Sequence, residues 1–194
     1  VKLYDIQSDA NHVVYICDRS GSLAPTFADI RFELLKSIAR LSHQQNYALL
    51  MMAGDKPLEM RPKGLLPASV ENKLKAYDFL RDMTASGATT LLPCLKRAFD
   101  LLDKADANTQ GKAIYILSDG DFEGLGGGSV YKTRDGKEFN GNDAVIQFLR
   151  DRNASKAVQV NAILLFNPDE IAQKVYKQIA DENGGKYKFV EPDE

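Results

Sequence analysis

Apolar runs of strand length alternate along this chain with amphipathic stretches of helix length. That alternation predicts an α/β fold, a mainly parallel central sheet with helices on both faces. Three observations carry the expectation. Val13-Val14-Tyr15-Ile16-Cys17 and Ala113-Ile114-Tyr115-Ile116-Leu117-Ser118 are continuous apolar runs, as strands covered on both sides require. Phe27, Ile30, Leu34, Ile38 and Leu41 recur at three- and four-residue steps and form one helical stripe. Asp18 and Asp119 each stand at or just past the end of one of those runs, at the carboxyl ends of strands where open sheets bind ligands.

Taken in order, residues 1–11 read as an N-terminal extension and 13–17 as the first strand. The helix of the Phe27 stripe follows, then a strand at 47–53. Gly54-Asp55-Lys56-Pro57 is a turn signal, and Leu58-Glu59-Met60-Arg61 reads as a short strand returning antiparallel. Pro57 and Pro62 suit a sheet edge, where a missing amide donor matters least. Helices are expected over 68–83, 91–105, 141–152 and 169–183, with Ile171, Val175 and Ile179 on one stripe of the last. Strands are expected at 113–118, 158–166 and 186–190. No repeat, linker or low-complexity tract divides the chain, so residues 1–194 are read as a single domain.

Composition excludes several classes. A chain of 194 residues with 44% hydrophobic and 27% charged residues is that of an ordinary globular protein. Its 25 basic and 27 acidic residues leave a net charge of -2, which gives no general attraction to nucleic acid or anionic membrane. No apolar run approaches the roughly 20 residues that span a bilayer. Cys17 and Cys94 form no Cys-x-x-Cys pair and read as buried free thiols. His12 and His43 are not at zinc-ligand spacing and read as surface or boundary residues.

Asp18-Arg19-Ser20-Gly21-Ser22 places one carboxylate and two hydroxyls where the first strand gives way to a helix. Ser86-Gly87-Ala88-Thr89-Thr90-Leu91 is a small-residue turn opening an apolar helix, and Asp119 follows another apolar strand. A final amphipathic helix and Gly184-Gly185-Lys186-Tyr187-Lys188-Phe189-Val190 close the series. In this order the segments resemble a bacterial-type von Willebrand factor type A domain with a metal-ion-dependent adhesion site, over roughly His12 to Val190. The resemblance implies a Rossmann-like, doubly wound sheet of six strands with one antiparallel edge strand. It also implies that Asp18, Ser20, Ser22, Thr89 and Asp119 surround one divalent cation. Ala88 departs from the family's second glycine, and Thr90 then reads as the start of the following helix.

Carboxylate and hydroxyl oxygens suit a hard cation, with Mg2+ first and Mn2+ or Ca2+ as alternatives. Two carboxylates balance a dication while the hydroxyls add donors without charge. The resemblance implies that some of these donors act through water, which leaves the ion electron-poor. The expected function is then a protein-binding or adhesion module, not an enzyme, whose cation captures an Asp or Glu of a partner protein. Asp18 is expected on a solvent-facing rim and Arg19 as a solvated rim residue. Asp121 reads as an outer acceptor or a plain loop acid. The resemblance also implies a larger membrane-linked parent protein and an extracytoplasmic or membrane-associated setting, with which Val1 in place of an initiator Met is compatible.

Other readings stand beside this one. Asp18, Ser20 and Ser22 could cap a helix, since Asp and Ser side chains accept from orphan amides. The domain could be a metal-free structural scaffold. A haloacid-dehalogenase-like phosphatase would need a second aspartate where Ser20 stands. Gly124 to Ser129 lacks the spacing of a nucleotide loop, and Asn153-Ala154-Ser155 matches a glycosylation sequon. The insertion at 120–140 exceeds an ordinary strand-to-helix connection and carries a β-hairpin at 130–139 that turns at Asp135-Gly136. It is expected on the metal face, with Tyr131, Lys132, Arg134 and Lys137 as candidate partner contacts or, alternatively, as a solvated decoration.

Overall fold

A computed structural model describes residues 1–105, 110–120 and 129–191. In chain order the elements are β1 (Lys2–Leu3), β2 (Ile6–Gln7), β3 (His12–Cys17), a 3-10 turn (Gly21–Leu23), α1 (Phe27–Arg40), β4 (Asn46–Met51), β5 (Leu58–Glu59) and β6 (Leu66–Pro67). They continue with α2 (Val70–Arg81), α3 (Leu91–Asp103), β7 (Lys112–Ser118), β8 (Val130–Lys132), β9 (Glu138–Asn140), α4 (Gly141–Arg152), β10 (Gln159–Leu165), α5 (Glu170–Glu182) and β11 (Tyr187–Val190).

Strands β11-β10-β7-β3-β4-β5 form one sheet, parallel throughout except for the antiparallel edge strand β5. This is the expected six-strand arrangement. The two-residue β6 also pairs antiparallel with β4 as a seventh strand. Such a short strand, ending on Pro67, has no periodicity to read. Glu59 of β5 is locked to α3 by two 2.9 Å bonds from Arg97 Nε and Nη2, which hold the edge in place.

Side-chain alternation divides the core into two layers. Val14, Ile16, Ile114 and Ile116 face α3, α4 and α5, whereas Val13, Tyr15, Cys17, Tyr115 and Leu117 face α1, α2 and the N-terminal residues. The predicted α1 stripe is buried at Phe27, Ile30, Leu34 and Ile38. In α3, Pro93 lies in the first turn, where its missing amide hydrogen has no intrahelical partner to lose. Gly185 has a specific reason: a Cβ there would lie 1.8 Å from Val160 O, so only glycine lets the chain pass β10 into β11.

Several expectations change. Residues 1–11 include the hairpin β1–β2, whose Leu3 and Ile6 enter the core. Its turn uses Tyr4 and Asp5 at positive φ (44° and 66°) in place of the usual Asn-Gly, so no turn signal marks it. His12 is buried, with Nδ1 3.3 Å from Asn46 Nδ2, because the strand begins inside the sheet; His43 is exposed as expected. On α5, Val175 and Ile179 are buried but Ile171 is 58% exposed, since it sits in the first turn beyond the sheet, and Ala172 takes the inward position. Cys17 and Cys94 are free and buried, and burial pushes the Cys94 thiol up to about 12. Asn153 of the sequon is also buried. Its amide donates to Val158 O (2.7 Å) and Asn183 Oδ1 (2.8 Å), so it holds the α4–β10 turn together.

Candidate metal centre

The register of β3 against β7 pairs Cys17 with Leu117, and Asp18 N–H extends that ladder to Leu117 O at 2.8 Å. Asp18 therefore stands beside Ser118, and Asp119 lies one residue further out. The Asp18 carboxylate is fully buried. Its Oδ1 accepts from Ser20 N–H at 2.7 Å, and its Oδ2 accepts from the hydroxyls of Ser118 (2.6 Å) and Thr89 (3.0 Å). The Ser20 and Ser22 hydroxyls lie 2.9 Å apart, and both are close enough to the Asp119 carboxylate to favour its charged form. Asp18, Ser20, Ser22 and Thr89 thus belong to one hydrogen-bonded cluster, and Asp119 stands beside it, so that three separate loops bring all five residues singled out in the sequence together.

Burial raises the Asp119 carboxyl above its usual range; the Ser22 hydroxyl opposes that shift and the nearby Asp18 charge adds to it. Among the described residues, no ion pair joins Asp18 or Asp119 to Lys, Arg or His. A buried carboxylate is strongly disfavoured without a compensating charge. One such group, Asp18, beside the half-buried Asp119 and neutral hydroxyls, makes a setting that a hard dication fits by charge and by donor type. Among the described residues no group of three or more His, Cys, Asp or Glu comes together, so any such ion would depend on the hydroxyls.

The capping alternative fares unevenly. Ser20 precedes the 3-10 turn without a side-chain cap bond, and Thr26, which precedes α1, makes none either. The serine hydroxyls bond to each other instead. Only Asp18 accepts a local amide, in a short turn onto Ser20. Thr90 donates to Gly54 O at 2.7 Å, which leaves Thr89 as the hydroxyl available to the cluster.

Two sequence expectations are corrected here. Asp18 is enclosed, not at a solvent-facing rim, because its strand ends beneath the loops that carry Ser20 and Thr89. Arg19 is no free rim residue: Nη1 donates to Ser86 Oγ (2.9 Å) and Thr84 O (3.3 Å), and its carbonyl accepts from Ser86 N–H. It clamps the Thr89 loop onto the Asp18 loop, beside Gly87 at φ 110°. Ser118, Asn167 and Tyr176 were not foreseen. Asn167 Nδ2 donates to Asp119 O at 2.7 Å and Tyr176 OH to Gly120 O at 2.8 Å. Ser118 alone had a readable signal, since pairing the two apolar runs in register sets it beside Asp18.

The cluster opens on a cleft of about 440 Å3 that exposes Ser22, Thr89 and Asp119. Tyr131, Lys132, Arg134 and Lys137 do not line it. The β8–β9 hairpin lies along α4, where the Tyr131 ring meets Phe148 edge-on and its hydroxyl donates to Asp151 at 2.9 Å. Asp151 is in the last turn of α4, where neighbouring Arg152 pairs with Asp103 at the end of α3. Both helices run away from the carboxyl ends of the strands, so the hairpin points away from the metal face. An apolar contact with α4 overrides the direction in which the strand leaves the sheet. Asp121 and Gly124 to Gly128 lie outside the described residues.

No protein-family model matches the chain. Over 116 residues it is 31% identical to the inter-alpha-trypsin inhibitor heavy chain H4 of Homo sapiens, an alignment covering 57% of this chain and 12% of that protein. The chain thus spans about an eighth of that relative's length. Among solved structures, the von Willebrand factor type A protein from Catenulispora acidiphila superposes with a TM-score of 0.68 at 17% identity, covering 96% of this chain and 40% of that one. The pilus adhesin SpaC from Lactobacillus rhamnosus GG superposes with a TM-score of 0.71 at 15% identity, covering 94% and 28%. Identity at that level speaks for architecture alone. With the sheet order and the placement of the acidic loops, it shows that this chain has the fold of a von Willebrand factor type A domain.

Proposed function

We propose that this chain is a divalent-cation-dependent protein-binding module, with Asp18, Ser20, Ser22, Thr89 and Asp119 as the residues that would hold Mg2+, or alternatively Mn2+ or Ca2+. One observation carries the reading: an enclosed carboxylate, Asp18, and a half-buried one, Asp119, neither with a cationic partner among the described residues, lie together among hydroxyls where Ser22, Thr89 and Asp119 open on a cleft. When bound, the ion would supply a coordination position for an Asp or Glu of a partner protein. Asp18 supplies enclosed negative charge, Ser118 and Arg19 keep its loops in place, and Asp119 presents charge at the cleft. Nothing in this arrangement calls for turnover. Asp18 is a poor nucleophile because it is fully buried and both its oxygens accept hydrogen bonds.

SpaC, which shares the fold, is a pilus adhesin. By analogy an adhesive role in an extracytoplasmic or membrane-associated parent protein suits this chain. Among the described residues no helix is long and apolar enough to cross a membrane. A second reading, a metal-free scaffold, draws support from Asp18 already having every donor it needs within the protein. Calorimetric titration with Mg2+, Mn2+ and Ca2+ separates the two. Cation capture predicts saturable binding to the wild type that disappears in Asp119→Ala. Heats that never rise above dilution for any of the three ions leave only the scaffold.

A further inference from the structure

The cleft extends beyond the oxygen cluster between two walls. One is formed by Leu23, Pro25 and Thr26 after the 3-10 turn, the other by Phe166, Asn167 and Pro168 after β10. The polar side-chain groups of both walls are engaged elsewhere. Thr26 Oγ1 donates to Leu23 O (3.4 Å), Asn167 Nδ2 donates to Asp119 O, and Asn167 Oδ1 accepts from Asp169 N–H (3.0 Å). The two prolines have no amide hydrogen to offer. What faces the opening is mostly ring and methylene surface, continuous with the candidate metal centre.

We propose that this groove receives a large apolar or aromatic side chain lying next to the captured acid, so that the partner segment combines Asp or Glu with such a neighbour. The proposal rests on the cation-capture reading above. A lone carboxylate would leave most of the cleft's 440 Å3 unfilled, whereas sites of roughly 300–1,000 Å3 take whole ligands with apolar bodies and a few polar anchors. The rim is built in advance. Phe166 holds φ 59°, unfavourable for a residue with a Cβ, with its N–H bonded to Val190 O at 2.8 Å. Asp169 then caps α5 through Ala172 N–H at 2.8 Å. A preformed wall loses little freedom on binding, so the apolar contact is kept as affinity. An apolar neighbour also keeps water from the carboxylate, and charge interactions strengthen as water is excluded.

The test uses a library of short peptides with one fixed Asp or Glu and randomised flanks, read by fluorescence anisotropy in millimolar Mn2+. Peptides with a large apolar flank should bind about tenfold to a hundredfold tighter than those with Ser or Gly, the factor that burying one such side chain supplies. In Pro25→Ser/Pro168→Ser that factor should vanish, while Mn2+ titration of the same protein stays unchanged and reports an intact fold. The single variant Pro25→Ser, at an exposed ring, should show part of the loss. Acid-dependent binding indifferent to the flank overturns this proposal and leaves cation capture standing. An apolar preference undiminished in the double variant overturns the assignment to these walls. No Mn2+-dependent binding of any acidic peptide overturns both.

Discussion

Asp18 and Asp119 follow adjacent parallel strands, yet one carboxylate is sealed and the other reaches a cleft. The difference is a single residue of register. Asp18 stands level with Ser118 inside the sheet, under the loops that cover β3, whereas Asp119 is one step further along its own chain. The sealed acid collects an amide and two hydroxyls and organises three loops. The outer acid keeps part of its surface for something that arrives from solution. One residue type thus serves two purposes, and position along the ladder decides which.

That contrast can be broken by experiment. The largest effect is expected from Asp18→Ala, which strands Ser20 N–H and the Thr89 and Ser118 hydroxyls without their acceptor. In urea unfolding without metal it should lose about 2–4 kcal/mol, the order expected when buried donors go unsatisfied. Asp119→Ala should lose less than about 1 kcal/mol, as partly exposed substitutions usually do. Equal losses would show that the two acids do not divide their work in this way.

A smaller effect sharpens the description of Asp119. Its folded-state pKa is raised, chiefly by burial, so the fold holds that proton more tightly than the unfolded chain does. The ionised group therefore weakens the metal-free fold above the raised value, and the penalty lifts as pH falls through it. Without cations Asp119→Asn should melt above the wild type at pH 7, and the gap should close as pH approaches the ordinary value of 3.8. Identical melting temperatures at pH 7 would mean that the carboxylate is not penalised by its surroundings.

The smallest effect concerns the hairpin on α4. Replacing Lys132, Arg134 and Lys137 together with Ser should change stability by no more than about 0.5 kcal/mol, since all three side chains are exposed. Mn2+ affinity should be unchanged because the hairpin lies away from the cleft. A weakened Mn2+ titration would place the hairpin in the site after all. Loss of partner binding alone would give it a separate part in partner choice.

Much of this was legible before folding. Long periodic elements such as 13–17, 113–118 and the α1 stripe reappear within a residue or so of their expected bounds, because burial demands repetition that composition cannot hide. Asp18, Ser20, Ser22, Thr89 and Asp119 were picked out together by the resemblance to a family's motif, and they meet because each follows a strand or precedes a helix at the same end of a parallel sheet. Short pieces escaped: β1, β2 and β6 have two residues each and no period. The direction of the 130–139 hairpin escaped too, since its apolar partner Phe148 lies in the following helix.

From the chain alone came the layer order, the parallel sheet and the type of oxygen at its carboxyl end, for these depend on which residues alternate and what ends each run. Only the tertiary structure decided that Asp18 is enclosed, that Ser118 and Arg19 secure it, and that two proline-bearing walls border Asp119. Those outcomes depend on which loop lies over which strand end, and residues far apart in the chain meet there through packing that no local pattern encodes.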